Sequence, residues 1–219
     1  MFIQIKKVYI LSKINIETII VGPLETNCYL LSHPSSKKAI IIDPGFEGER
    51  IAETLKKKNL TLDKILITHG HYDHIGGVKI LREMTGAQVY INENDAICLV
   101  DSRYNFSELI DDNYTCDPAE GNLAEGNVIE ADSIILTVLS TPGHSKGSVS
   151  FSGDGFIIVG DTLFHRSIGR TDLPGGSQEV LLESIQKKIL SLPDNTIVYP
   201  GHGPSTTVGQ ERQENPFIA

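Results

Sequence analysis

Short apolar runs of four to seven residues recur along the chain and are separated by polar or glycine-containing segments. They are rich in Ile, Val, Leu and Thr, and such runs are typical of strands because branched side chains pack well on a pleated surface. The pattern predicts nine strands: Glu17–Val21, Cys28–Ser32, Ala39–Ile42, Lys64–Thr68, Gln88–Ile91, Ile134–Ser140, Val149–Ser152, Phe156–Val159 and Thr196–Tyr199.

Apolar residues at helical spacing lie between some of these runs. Ile51 and Leu55 are one helical turn apart with charged residues on the other face, and Pro193 closes the last periodic segment. Strands and helices alternate in the first third of the chain, whereas the middle is richer in strands. This mixture predicts two sheets with helices outside them rather than one doubly wound sheet. The predicted helices are Glu47–Lys58, Gly77–Thr85 and Ser177–Ser191.

The composition narrows the class of protein. With 219 residues, 40% hydrophobic and 21% charged, the chain fits a single globular domain over residues 1–219, with residues 1–14 as an N-terminal extension. Its net charge of −9 disfavours a nucleic-acid partner, which needs a basic face. No apolar run approaches the roughly 20 residues that span a bilayer or forms the core of a secretion signal. Three cysteines without CxxC spacing indicate reduced thiols. We therefore expect a cytoplasmic protein that binds neither nucleic acid nor membranes.

The densest group of candidate ligands lies in residues 69–74, which read HGHYDH and directly follow a predicted strand. Three histidines and a carboxylate this close together indicate a metal site. His69 and His71 are two residues apart, so in extended backbone they point to the same side and can share one ion. Asp73 and His74 follow where the chain turns into the next predicted helix, so they suit a second ion.

Three further candidates complete the set. His144 ends the sequence TPGH, Asp161 lies in VGDT, and His202 lies in PGHG. Each follows a predicted strand and a glycine. A histidine after a glycine is more often a turn residue than a ligand, but three such strand ends beside a histidine cluster favour ligation, because residues 69–74 alone cannot fill a metal's coordination shell.

The motifs THGHYDH, TPGH, GDTLF and PGHG together resemble the metallo-β-lactamase superfamily, and most of all its glyoxalase II-like hydrolases. The resemblance spans nearly the whole chain. It implies a four-layer αββα sandwich of two mixed sheets, with the site at one edge of both sheets. It also implies two divalent ions, zinc in the first place, with iron and manganese as alternatives because both accept mixed histidine and carboxylate ligation. The implied assignment is one ion on His69, His71 and His144, the other on Asp73, His74 and His202, and Asp161 bridging both.

The implied activity is hydrolysis of thioesters such as S-lactoylglutathione. Two ions lower the pKa of a water bridging them, and the resulting hydroxide attacks the thioester carbonyl, whose developing oxyanion the ions stabilise. Asp73 is the candidate catalytic residue, orienting the nucleophile or accepting its proton, although ligation weakens it as a base.

Residues near the ligand motifs are candidates for substrate binding and support. Arg170 resembles a basic residue that contacts the thiol portion, whereas a tyrosine of that pattern is replaced here by Asp172. His165 follows the GDTLF motif, where it either touches substrate or covers the site. Asp43 resembles a residue that supports the ligands from behind, and an Asx turn or helix entry is the alternative. The chain looks like the shorter members, without the helical C-terminal domain that grips glutathione.

Several alternatives remain open. A persulfide dioxygenase has a similar scaffold and holds one iron through two histidines and one aspartate, and a non-catalytic metal-binding protein is also possible on this scaffold. Class B β-lactamases are disfavoured because the commonest of them hold a cysteine at the position of Asp161. The stretch Asp101–Asn127 is poorly patterned, so it either shapes substrate entry or is a variable surface connection.

Overall fold

A computed structural model describes residues 14–110 and 112–218. The predicted N-terminal extension, residues 1–14, lies outside this range except for its last residue. In the described part, the strands assemble into two six-stranded sheets and a two-stranded ribbon.

The first sheet contains the N-terminal half of the chain in sequential order. Its first three strands are antiparallel, and the following three are joined by parallel pairings. The connections between the parallel strands carry helices, as crossovers of this kind require. The strands are β1 (Asn15–Val21), β2 (Thr26–Ser32), β3 (Lys38–Ile42), β4 (Thr61–Leu66), β5 (Gln88–Ile91) and β6 (Gly121–Asn122).

The second sheet contains the C-terminal half of the chain, and its single parallel pairing joins the strands Phe156–Gly160 and Ile197–Pro200, which lie side by side in its interior. The ribbon of β11 (Leu163–Phe164) and β12 (Ser167–Ile168) lies outside it. The sheet's strands are β7 (Val128–Ala131), β8 (Ile134–Ser140), β9 (Val149–Gly153), β10 (Phe156–Gly160), β13 (Ile197–Pro200) and β14 (Thr206–Thr207).

The helices fall into long ones that cover the sheets and short ones near the strand ends. Ser177 caps the helix Gln178–Ser184 with its side chain, and this helix continues into one π turn, Ile185–Ile189. A 3₁₀ turn covers Ser107–Ile110. No helix among the described residues is long and apolar enough to cross a membrane. The helices are α1 (Gly48–Lys57), α2 (Tyr72–Ile75), α3 (Val78–Thr85), α4 (Ile97–Val100), α5 (Ser102–Asn105), α6 (Gln178–Ser184) and α7 (Val208–Glu214).

The core has three parts, which define four layers. Alternate side chains of β3 point in opposite directions, so Ile40 and Ile42 pack between the sheets while Ile41 packs toward α1 and α3. Phe151 is a fully buried aromatic residue of the central layer. The third cluster joins the outer face of the second sheet to α6 and α7 and includes the fully buried Leu181. The predicted αββα sandwich of two mixed sheets is therefore confirmed.

The sequence did not predict the strands β6, β7, β11, β12 and β14 or the helices α2, α4, α5 and α7, and the longest of these strands and helices are β7 and α7. The strand β7 has only four residues, of which Ile129 and Ala131 are buried. The helix α7 reads VGQERQE and lacks an apolar stripe, since Val208 is its buried apolar residue. Both form because partners in the tertiary structure complete them, which local pattern does not reveal.

The fold places the ligand motifs at one edge of the molecule. The candidates follow the carboxyl ends of β3, β4, β8, β10 and β13, and these ends meet where the two sheets touch. At this edge the backbone of Val149 donates to the Thr68 carbonyl at 2.9 Å, and the Tyr29 hydroxyl donates to the Pro200 carbonyl at 2.5 Å. These bonds fix the two halves of the site relative to each other.

Candidate metal centre

Three buried histidines direct one nitrogen each toward a common point. The Nε2 of His69 lies 3.1 Å from Nδ1 of His71, and the Nε2 of His144 lies 3.2 Å and 3.0 Å from the same two atoms. Zinc–nitrogen bonds of about 2.0–2.1 Å in a tetrahedron separate the nitrogens by about 3.3 Å. The triangle therefore has nearly the dimensions of three ligands on one ion.

The electrostatics of this group favour neutral rings. Burial, and then repulsion from His74, hold the pKa of His69 well below its usual value. Burial and the neighbouring His144 lower the pKa of His71 to about 3. A neutral imidazole offers a lone pair to a cation, whereas a protonated one does not, so these two rings are ready to bind an ion at neutral pH.

A second group of donors lies beside the first and contains two carboxylates. An Oδ2 atom of Asp73 lies 3.4 Å from Nε2 of His74 and 3.2 Å from Nε2 of His202. Asp73, His74 and His202 form a compact group of ligand atoms able to hold an ion. His202 is the most exposed of the three, so this group faces the cavity more openly than the three histidines do.

Asp161 lies between the two groups. Its Oδ2 is 3.7 Å from Nε2 of His144 and 3.6 Å from Nε2 of His202, while its Oδ1 is 3.4 Å from Nε2 of His74. One carboxylate thus reaches ligand atoms of both groups. The buried atoms Asp161 Oδ1 and His74 Nε2 have no hydrogen-bond partner among the described residues. Buried donors and acceptors without a partner are costly, so these two atoms indicate that the site binds a cation.

In the second group the carboxylates favour protonation of the neighbouring histidines. Burial opposes the charge of His74, but the carboxylates of Asp73 and Asp161 outweigh it and raise the His74 pKa well above its usual value. Burial likewise opposes ionisation of Asp161, yet His74 lowers the Asp161 pKa below its usual range. The pKa of His202 is raised because its hydrogen bond with Asp73 outweighs burial. Carboxylates therefore remain ionised and available, and an ion must displace protons from the histidines.

Taken together, the donor set fits two divalent ions. Buried histidines and carboxylates are ligands that zinc, iron and manganese accept, and the orphaned atoms have no partner without a cation.

Asp43 holds the ligands from behind. Its Oδ2 lies 2.9 Å from Nδ1 of His74 and accepts a hydrogen bond from the Thr68 hydroxyl at 2.6 Å, while its Oδ1 accepts from the Thr68 backbone at 2.8 Å. That hydroxyl lies 3.1 Å from Nδ1 of His69. Since each Nδ1 has a polar partner, Nε2 of both rings is left facing the centre.

Backbone carbonyls orient two further rings in the same way. The Nδ1 of His144 donates to the Arg170 carbonyl at 2.8 Å, and the Nδ1 of His202 donates to the Leu24 carbonyl at 2.9 Å. His71 differs, because its Nδ1 is the atom in the ligand triangle.

Asp95 is a supporting residue that the sequence analysis missed. Its carboxylate accepts hydrogen bonds from the backbone of Gly70 at 3.0 Å and of Gly147 at 2.8 Å, and from the Ser145 hydroxyl at 2.6 Å. It thereby joins the loop of residues 69–74 to the loop after His144. The polar residues around Asp95 are typical of an ordinary turn, so the sequence does not indicate this role.

Asn27 was also missed, and it fixes the His202 loop. Its backbone donates to the Gly201 carbonyl at 2.7 Å, and its side chain donates to the carbonyls of Pro200 at 3.0 Å and Gly203 at 2.8 Å. A Cβ at Gly201 would lie 2.0 Å from Asp161 Oδ1, so glycine is required at this position.

The two predicted substrate residues have different surroundings. Arg170 lines a cavity of about 340 Å³ above the ligands, but its guanidinium donates two 2.8 Å hydrogen bonds to Asp172. His165 is exposed and its Nε2 faces the Gln210 amide at 3.2 Å, and it is not among the residues lining this cavity.

Part of the poorly patterned stretch Asp101–Asn127 forms one wall of the cavity. Phe106 packs against the His71 ring with 5.1 Å between ring centroids, and Leu109 and Ile110 follow on the 3₁₀ turn. This part of the stretch therefore lines the cavity above the candidate ligands.

Comparison with known proteins agrees with this geometry. The family model of the metallo-beta-lactamase superfamily matches residues 21–202, which contain all seven ligand candidates. The probable metallo-hydrolase YqgX of Bacillus subtilis is 42% identical over 201 residues, covering 90% of this chain and 94% of its own. The hydroxyacylglutathione hydrolase GloC of Haemophilus influenzae is 37% identical over 210 residues, covering 93% and 98%.

Solved structures share the architecture. The BLEG-1 B3 metallo-beta-lactamase is 41% identical with a TM-score of 0.89, covering 94% of this chain and 100% of that one. TTHA1623, solved in a di-iron-bound form, is 35% identical with a TM-score of 0.82, covering 92% and 99%. ETHE1 from Myxococcus xanthus is 29% identical with a TM-score of 0.78, covering 92% and 83%. The match of family model, fold and clustered ligands shows that the chain belongs to the metallo-beta-lactamase superfamily.

Proposed function

We propose that the protein is a binuclear metal-dependent hydrolase of thioesters, of which S-lactoylglutathione is one example. The single observation that carries the proposal is the convergence of seven histidine and aspartate side chains in two adjoining groups beneath one cavity. The relative named hydroxyacylglutathione hydrolase, 37% identical over nearly its whole length, supports the thioester as substrate.

In this proposal the histidine triangle of His69, His71 and His144 would hold one ion. Asp73, His74 and His202 would hold the other, and Asp161 would contribute to both. Bound divalent ions supply Lewis acidity, which activates water at neutral pH and polarises the substrate carbonyl. The reaction adds water across the thioester, so that the C–S bond breaks and a carboxylate, a thiol and a proton result.

Asp73 has an orienting role in this reaction. Its Oδ2 accepts a hydrogen bond from the Thr26 hydroxyl at 3.3 Å, and its pKa is lowered because the charge of His74 outweighs burial. A carboxylate with a lowered pKa is a weak base, so Asp73 would orient the attacking water rather than retain a proton.

Arg170 is the proposed contact for the thiol portion of the substrate. It lies on the cavity wall and can exchange its exposed pairing with Asp172 for an anionic group of the thiol. Exposed ion pairs contribute little, so this exchange costs little. His165 lies on the outer surface near α7, and we assign it no contact with substrate.

The test combines metal analysis with turnover. Purified protein is quantified for zinc, iron and manganese and assayed for thiol release from S-lactoylglutathione. We expect about two ions per chain and turnover that is lost in His71→Ala, because that variant opens the triangle of ligands.

The same samples test the alternatives. One iron per chain with oxygen consumption on glutathione persulfide would identify a dioxygenase and overturn the hydrolase. Metal-loaded protein that turns over no thioester or ester, with His71→Ala indistinguishable from wild type, would identify a metal-binding protein without catalysis.

A second candidate function is hydrolysis of β-lactams, which also adds water to an activated carbonyl. The observation in its favour is the 41% identity with the BLEG-1 B3 metallo-beta-lactamase. This identity weakens the sequence argument against β-lactamases, which was that Asp161 stands where the commonest of them hold a cysteine. A chromogenic cephalosporin assayed beside S-lactoylglutathione separates the two, and we expect the larger kcat/KM on the thioester.

A further inference from the structure

The mouth of the cavity is unusually apolar. Leu109, Ile110 and Leu24 line it with 78%, 48% and 48% of their surfaces exposed. Together with Ile97 and Tyr104 of an adjoining cavity, they are five of the thirteen exposed large apolar or aromatic side chains in the described part of the chain. Scattered exposed apolar residues are normal, but a concentration at one opening marks a binding surface.

These side chains come from two separate parts of the chain. Leu24 belongs to the turn between β1 and β2, next to the ligand loop, since its carbonyl accepts the His202 ring N–H at 2.9 Å. Leu109 and Ile110 belong to the 3₁₀ turn, and Phe106 continues their wall down to the His71 ring. The apolar wall thus runs from the solvent to the ligands of both groups.

The wall is held in place by buried polar groups behind it. The side chain of Asn105 donates to the carbonyls of Cys98 at 2.7 Å and Tyr114 at 3.0 Å, and Ser107 accepts from the Tyr114 backbone at 2.8 Å. Asn105 and Ser107 are fully buried. The apolar side chains are therefore presented by an anchored segment, which keeps them exposed at the opening.

The charged groups of the opening are elsewhere on its rim. Arg170 lies in the same cavity, and Lys146 lines the adjoining cavity of about 250 Å³, which shares His71 and Phe106 with the first. Lys146 makes no ion pair with any described residue. The cationic side of the opening therefore fits a polar, anionic thiol half of a thioester. The apolar wall is left for the acyl half.

We infer that the preferred substrates carry an apolar, straight-chain acyl group that is longer than acetyl and packs against Leu24, Leu109 and Ile110. The inference rests on the proposed thioester hydrolysis. A lactoyl group is short and carries a hydroxyl, so it leaves this wall in contact with water. Each methylene that is buried instead contributes transfer free energy to the bound state.

The test is a series of thioesters of one thiol. Zinc-loaded protein is assayed with acetyl-, butyryl-, hexanoyl- and lactoyl-glutathione. We expect kcat/KM to rise about two- to fourfold for each added methylene, the range that methylene transfer allows, and hexanoyl to exceed lactoyl. The rise should disappear in the double variant L109S/I110S and persist in Val128→Ser, which alters an exposed apolar residue of the edge strand β7 that lines neither cavity.

A binding measurement keeps the inference testable if the double variant folds poorly. S-methyl-, S-butyl- and S-hexylglutathione are thioethers that cannot be hydrolysed, and we expect their inhibition constants to fall with chain length in the wild-type protein. Thioester turnover with no dependence on chain length would overturn the inference alone. Absence of turnover on every thioester would overturn the proposed function as well. If turnover does not depend on chain length, and the protein forms a dimer that L109S/I110S abolishes, the wall binds a second copy of the chain instead.

Discussion

At the scale of single residues, the site depends on which ring nitrogen each histidine presents. In His69, His74, His144 and His202 the Nδ1 atom has a polar partner behind the ring, so Nε2 faces the centre. The partners are a hydroxyl, a carboxylate and two backbone carbonyls. Ring orientation therefore does not require one particular residue type, and this is why the supporting contacts leave little trace in the sequence.

The two ligand groups differ in protonation, which predicts different pH dependences for the two ions. The pKa values of His74 and His202 are raised, so binding of an ion to their group at pH 7 releases protons. The pKa values of His69 and His71 are lowered instead. As the pH falls from 8 to 6, affinity for the second ion should fall by up to about tenfold per pH unit for each proton released.

Calorimetric titration with zinc in buffers of different ionisation enthalpy measures this release. In His71→Ala the second group keeps all of its candidate ligands, and in His202→Ala the first group does. Equal proton release from the two variants would contradict the assignment of charge.

At the scale of secondary-structure elements, strand ends and short connections assemble the site. Asp43 at the end of β3 contacts Thr68 after β4 and His74 in α2, so one carboxylate fixes three elements. Its backbone has a φ of 50°, a conformation that aspartate and asparagine tolerate better than most residues. The sequence indicated a supporting role for Asp43 through resemblance, and the structure shows the contacts.

The substitution Asp43→Asn should weaken metal binding while the protein stays folded. Asparagine keeps the backbone conformation but removes the charge that orients the His74 ring, and loss of such a partner lowers metal affinity by about 10- to 100-fold. Competition with a chromogenic zinc chelator measures the change. Asp132→Asn is the matched control, because Asp132 has a φ of 51° on the exposed side of the fold; affinity of Asp43→Asn within twofold of that control would contradict the role.

At the scale of the whole molecule, the ligands come from both sheets. His69, His71, Asp73 and His74 follow β4 of the first sheet, while His144, Asp161 and His202 follow strands of the second. Ions held by the proposed groups would therefore cross-link the two halves at their shared edge. The chain otherwise joins these halves through the central core and a few hydrogen bonds such as that of Tyr29 to Pro200.

Removal of metal should accordingly lower thermal stability. Ions at about a thousand times their dissociation constant stabilise the folded state by about 4 kcal/mol, which corresponds to a Tm shift of about 10 °C for a chain of this length. Circular-dichroism melts with and without a chelator measure the shift. The shift should be smaller in His202→Ala, and equal Tm values for metal-loaded and metal-free wild type would contradict a cross-link by bound ions.

The sequence by itself determined the strands with strong apolar patterns, the three amphipathic helices and the seven candidate ligands, because apolar periodicity and ligand spacing are local properties. It did not reveal β7 or α7, whose burial depends on neighbours distant in the chain, nor Asp95 and Asn27, whose partners lie in other loops. Only the tertiary structure decided that the carboxyl ends of strands from both sheets meet, and that an apolar wall stands over them. Those relations depend on packing between residues far apart in sequence, which no local pattern encodes.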